Sequence, residues 1–144
     1  MVEFNNLTSF EIDEAYLRKI AEDVLRAEKA CETCELSVVF VGPEKMQELN
    51  RDRRGKDNAT DVLSFEYCKD LEMKGEMEIE PLGEVVICPN FVEDQAKQNE
   101  NTFQKELSFV LIHGILHLLG YDHETNEADA ARMCEKEKCY LEKL

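Results

Sequence analysis

His113-Gly114-Ile115-Leu116-His117-Leu118-Leu119-Gly120-Tyr121-Asp122-His123 contains all three histidines of the chain. His113 and His117 are four apart on a predicted helix. That spacing puts both imidazoles on one face, one turn apart, within reach of a single metal ion. Gly120 sits where a left-handed residue ends a helix and lets the chain reverse, so His123 can return as a third ligand. Three neutral nitrogens leave a fourth tetrahedral position open, which is the pattern of a catalytic zinc site. Nickel, copper or iron could take the same ligands. Histidines on an apolar helix can also be buried and simply hydrogen-bonded; the helix-ending glycine and the third histidine favour the metal. The spacing resembles the HExxHxxGxxH motif of metalloproteases, but Gly114 stands where those enzymes carry their glutamate base. Asp122 could accept a proton or orient the loop.

A second chemical signal is Arg51-Asp52-Arg53-Arg54-Gly55-Lys56-Asp57, which carries a net charge of +2 inside a chain of 144 residues at −15. Its plain explanation is a solvated helix end whose cations favour the helix dipole. The overall charge argues against broad electrostatic capture of nucleic acid or anionic membrane, but leaves room for a local basic site.

These residues need a scaffold. A chain of 144 residues, 43% hydrophobic and 34% charged, is one domain's worth of soluble globular sequence. Val2 and Phe4 suggest a first strand. Thr8-Ser9-Phe10-Glu11 reads as a capping box opening a helix whose inner face is Leu17, Ile20, Ala21, Val24 and Leu25. Leu36 to Val41 suits a strand buried on both faces. Pro43 can open a helix carrying Met46 and Leu49 inward. Val62–Phe65 and Glu84–Cys88 read as strands, with Glu66 to Pro81 a surface excursion between them. Phe91 to Lys97 suggests a short helix, and Phe103 to about Leu119 a stronger one. Thr125 can cap a last helix with Ala128, Ala131, Cys134 and Leu141 on one side. The expected architecture is α+β: one domain over 1–144, with a roughly four-stranded mixed sheet covered by four or five helices. The metal site falls on a helix and the loop after it.

The start, Met1-Val2-Glu3-Phe4, lacks the basic and apolar regions of a signal peptide, and the apolar stretch Phe109–Leu119 is too short to span a bilayer. A cytoplasmic protein with no membrane association is expected. The six cysteines (Cys31, Cys34, Cys68, Cys88, Cys134 and Cys139) then read mostly as reduced thiols. Cys31 and Cys34 have CxxC spacing, which could serve redox or metal chemistry or simply end a helix.

The histidine segment resembles the signature of the bacterial YbeY family of ribosomal RNA maturation factors. Asn50-Arg51-Asp52-Arg53-Arg54-Gly55-Lys56-Asp57-Asn58-Ala59-Thr60-Asp61-Val62-Leu63-Ser64-Phe65 resembles a second block of that family, and Leu82-Gly83-Glu84-Val85-Val86-Ile87-Cys88 a third. Ala59 and Glu66 stand where the family usually has proline. The resemblance implies a single-strand-specific, metal-dependent endoribonuclease that matures the 3′ end of small-subunit (16S) rRNA and takes part in ribosome quality control. His113, His117 and His123 match the family's metal ligands, and Arg54 its functional arginine. Single-stranded RNA, the ribosomal small subunit and its associated proteins are the implied partners. A metal there can polarise a phosphate oxygen or activate water, and Arg54 offers a planar charged fork for non-bridging oxygens. The alternatives are a non-catalytic ribosome-biogenesis factor with a structural metal and another metallohydrolase, such as a peptidase.

Overall fold

The computed structural model describes residues 2–29, 34–66, 80–121 and 127–142. They form four strands and five helices, in the order β1 (Val2–Asn6), α1 (Glu14–Ala27), β2 (Cys34–Phe40), α2 (Pro43–Arg54), β3 (Val62–Glu66), β4 (Glu80–Ile87), α3 (Pro89–Gln98), α4 (Phe103–Leu118) and α5 (Glu127–Glu142). The sheet order is β1-β2-β4-β3. The first three run parallel, and β3 pairs antiparallel with β4, in register Val62 to Ile87 through Glu66 to Gly83. The expected mixed sheet is thus present.

Alternate residues of each strand serve opposite faces. Leu36, Val38 and Phe40 of β2 join Val85 and Ile87 of β4 in the larger core, with Leu17, Ala21 and Val24 of α1 and Val110, Leu111 and Ile115 of α4. On the other face Val41, Leu63, Val86 and Cys88 close around Met46 of α2, with Leu49 packed at the margin. This second layer is thin. Ser37 and Val39 are only half-buried, so β2 is fully covered on one face rather than on both.

α4 is the central helix, packed against α1, α3, α5, β3 and β4. Its buried residues run from Glu106 to Leu118 over most of its circumference, and within that span only the stripe of Phe109, His113 and His117 is half-buried. Thr102 caps its start by accepting a hydrogen bond from the Lys105 amide at 3.1 Å.

Three local expectations are corrected. α1 starts at Glu14, with Asp13 accepting from the Tyr16 amide at 3.1 Å. The Thr8 hydroxyl instead donates to Asn6 Oδ1 at 2.6 Å and accepts from the Phe10 amide, closing a turn after β1. α5 does not turn Ala128, Ala131 and Cys134 inward. Its buried residues are Met133, Glu137 and Tyr140, with Leu141 half-buried beside them. The expected face fails because the helix buries a carboxylate, which hydrophobic periodicity assigns to solvent. β4 also begins four residues before the expected Glu84.

The ends of the expected excursion from Glu66 to Pro81 belong instead to β3 and β4; its residues 67–79, the Thr125 cap, and Cys31 and Cys68 lie outside the described residues. Cys34 opens the backbone of β2. Cys88 is a buried free thiol, whereas Cys134 and Cys139 are exposed ones.

Candidate active site

The C-terminal half of α4 supplies the two imidazoles. His113 and His117 lie one turn apart with ring centroids 4.7 Å apart, edge to face. Phe109 stacks on His113 from the preceding turn, at 6.1 Å. His113 Nδ1 pairs with Glu137 Oε1 of α5. The side chains are 24% and 10% exposed, so this pair sits at the inner edge of the site.

Gly114 explains how the helix comes so close to the sheet. A Cβ there would lie 2.7 Å from Val85 Cγ1 and 3.3 Å from Val62 Cγ2. Ser64 of β3 donates from Oγ to the Gly114 carbonyl at 3.0 Å. The position that carries the base in the protease motif therefore faces the sheet and has no room for a side chain.

α4 ends in a Schellman motif. The Tyr121 amide reaches the Leu116 carbonyl at 3.0 Å, the Gly120 amide reaches His117 at 3.1 Å, and Gly120 has φ 101°. The chain reverses where the sequence requires it. Tyr121 is then held by its hydroxyl, which donates to Glu28 Oε1 at 2.5 Å. Asp122 and His123 lie outside the described residues. Among the described residues, no group of three or more His, Cys, Asp or Glu is placed to hold a metal ion.

Glu28 is a hub that the sequence did not reveal. Besides Tyr121 it accepts from the Tyr140 hydroxyl at 2.7 Å and Lys136 Nζ at 3.1 Å, tying the end of α1 to α5. Burial pushes its carboxyl upward, but the two hydroxyls and the ammonium outweigh that and hold it below the ordinary 4.5. Their own hydrogen bonds to Glu28 raise Tyr121 and Lys136, while burial leads the causes that raise Tyr140.

The opposite side of the site comes from the end of α2 and the loop into β3. Gly55, at φ 71°, stops the helix and returns its amide to the Arg51 carbonyl at 3.1 Å. Buried Asn50 donates through Nδ2 to the Asn58 backbone oxygen at 2.8 Å and to Asn58 Oδ1 at 3.0 Å, fixing the loop. Asp61 accepts from Gln95 Nε2 at 3.1 Å and from its neighbours Thr60 and Val62. Arg51 pairs with Asp52, and Arg53 lies over the Phe65 ring at 5.0 Å.

An open cleft of about 660 Å³ separates the two sides, and Arg54, Lys56, Asp61, Ser64, His113, His117 and Tyr121 are among its lining residues. The structure thus brings Arg54 and two of the three predicted histidines, nearly sixty positions apart in sequence, into one cavity. Glu28, Asn50 and Glu137 were missed. Each is a polar residue whose partner lies on another segment, and no local pattern marks it.

Two imidazoles and a permanent cation line one open cleft on a helix-covered mixed sheet, a site whose cation suits an anionic ligand. Comparison with known proteins narrows this. The family profile described as "Endoribonuclease YbeY" matches residues 3–144. The Endoribonuclease YbeY of Thermodesulfovibrio yellowstonii is 49% identical over 109 residues, 76% of this chain and 66% of that protein. That of Sulfurovum sp. is 39% identical over 144 residues, 100% of this chain and 90% of that protein. The solution structure of TM1509 from Thermotoga maritima superposes with a TM-score of 0.68 at 34% identity, covering 99% of this chain and 87% of that one. The chain belongs to the YbeY family of endoribonucleases, whose activity is hydrolysis of internal RNA phosphodiesters in rRNA maturation. None of the helices among the described residues is long and apolar enough to cross a membrane.

Proposed function

We propose that this endoribonuclease cleaves single-stranded RNA at the 3′ end of precursor small-subunit rRNA, in the cytoplasm, from the cleft between α2 and α4. Its ligands for one divalent metal ion, with zinc the first choice and nickel an alternative, are His113, His117 and His123. The observation that carries this reading is the shared cleft: His113 and His117 line it together with Arg54.

The described residues suit such an ion. Two imidazoles one turn apart form half of a tetrahedral nitrogen set, and Glu137 on His113 Nδ1 is the carboxylate partner that metal-bound histidines usually have. When bound, the ion would polarise a phosphate oxygen or supply an activated water. Arg54 carries a fixed charge and a bidentate fork for the non-bridging oxygens, where negative charge grows during attack. Lys56 adds a second cation at the cleft. The acidic remainder of the chain, at −15 overall, repels RNA that is not steered along this basic side. Reading of base sequence is left to the ribosomal small subunit and its proteins. Gly114 weighs against the peptidase alternative, because a glutamate base there would collide with Val85.

The test is cleavage of a single-stranded RNA from the 3′ end of precursor small-subunit rRNA. Metal-stripped protein and Arg54→Ala run beside the wild type. Cleavage that both controls lose supports the proposal. A folded, metal-loaded protein that leaves this RNA intact would replace it with an assembly role on the ribosome.

A further inference from the structure

Glu137 is a carboxylate on the buried face of α5, with its side chain 10% exposed. Burying a carboxylate is costly unless a partner takes up its charge and hydrogen-bonding capacity. Its partner is His113 Nδ1, 24 positions earlier in the chain. A carboxylate offers only lone pairs, so the shared proton belongs on Nδ1 of the imidazole. In that tautomer the lone pair that can coordinate a metal is on Nε2, and the residue lines the cleft.

The helix that delivers Glu137 is itself fixed. Lys136 and Tyr140, one residue before and three after, both reach Glu28 at the end of α1, at 3.1 and 2.7 Å. Met133, one turn earlier, is 1% exposed in the main core. Phe109 and His117 restrain the His113 ring from its own helix.

We infer that Glu137 is a positioning residue: it holds His113 as the Nδ1–H tautomer and so presents Nε2 to the cleft for metal binding. The metal-binding half of this inference rests on the proposed function; the tautomer half does not. Glu137 does not touch RNA and acts only through His113.

Two measurements test it on the full chain. Long-range proton–nitrogen NMR of the metal-free protein, at a pH well above the imidazole range, reads the His113 tautomer. Competition with a chromogenic chelator reads zinc affinity. The wild type shows Nδ1–H at His113. In Glu137→Ala that form gives way to Nε2–H, and zinc affinity falls about 10- to 100-fold. Glu137→Gln keeps an acceptor oxygen, so it retains more of both. Met133→Ala controls for packing: it lowers the unfolding temperature while the folded protein keeps the tautomer and the affinity. The inference is overturned if the wild type carries Nε2–H, if Glu137→Ala leaves the tautomer unchanged, or if Met133→Ala costs as much affinity as Glu137→Ala. A wild type that shows the Glu137-dependent tautomer but binds no zinc upholds the positioning and removes the metal from the proposed function.

Discussion

Gly114 of α4 and Val85 of β4 meet so closely that a Cβ on the glycine would lie 2.7 Å from Val85 Cγ1. Two effects compete in Gly114→Ala. Alanine gains about 1 kcal/mol of helix propensity over glycine. Overpacking a filled core costs about 1–3 kcal/mol, and more where the neighbour cannot yield. Val85 is β-branched, 0% exposed and central in the sheet, so it has little room. Overpacking wins, and Gly114→Ala is expected to lower stability by about 1 kcal/mol in chemical denaturation. It should also push α4 away from the sheet and reduce RNA cleavage, because the neighbouring residue is His113. Adding Val85→Ala should restore cleavage more than stability; a single variant as stable as the wild type would sink the argument.

Arg54 is exposed at the end of α2 and lines the cleft. Arg54→Ala is therefore expected to leave the unfolding midpoint within about 0.5 kcal/mol of the wild type. Its effect should fall on turnover, with a loss of about 10²–10³-fold if the guanidinium meets charge that develops in the transition state. Arg54→Lys keeps the charge and loses the fork, so it should recover only part. Single-turnover cleavage under saturating RNA separates this from weaker binding.

The parts legible in the sequence were those written locally. The 3.6-residue face of α1, the β-branched run of β2, Pro43 at the start of α2 and Gly120 at the end of α4 appear where expected, because each needs only near neighbours. The segments that carry Arg54 and the histidine pair were also legible as a helix end and a helix face, and the fold places them in one cleft. What escaped depends on contacts across the chain. Glu28 meets Tyr121 across 93 positions and Tyr140 across 112, and in sequence it is one acidic residue among 32 Asp and Glu. Glu137 misled the reading of α5 for the same reason. A charged residue counts as outward in a periodicity argument unless its partner is known.

Asn50 shows what such a contact supports. It is 3% exposed, and Nδ2 donates to two oxygens of Asn58 at 2.8 and 3.0 Å. Asn50→Ala leaves those acceptors unanswered at the margin of the core, a loss of about 1–3 kcal/mol. Asn50→Asp should be worse, since a carboxylate has no proton to donate and would face two oxygens. Both variants should raise the protease sensitivity of residues 55–60 and weaken RNA cleavage, with Asp below Ala in unfolding midpoint. The reverse order would mean that the loop does not depend on this donor.

The Glu28 hub gives a pH dependence with a definite sign. The carboxyl is held below its ordinary 4.5, so its contribution is complete above that pH and is lost as pH falls through the lower, folded-state value. Tyr121 and Lys136 are shifted the other way, above their ordinary 10.0 and 10.5. Their contribution is complete below those values and is lost as pH rises through the higher, folded-state values. The hub is thus intact across the neutral range and fails at both extremes. Glu28→Gln removes the titrating carboxyl and the charge that helps to raise Tyr121, Lys136 and Tyr140, so its stability curve should be flatter on the acid and alkaline sides than that of the wild type. At neutral pH, losing a hydrogen-bond acceptor that is charged and 7% exposed in its side chain should cost about 1–3 kcal/mol. Denaturant unfolding of both proteins from acid to alkaline pH checks this. Parallel curves with a constant offset would show that the hub contributes by shape alone.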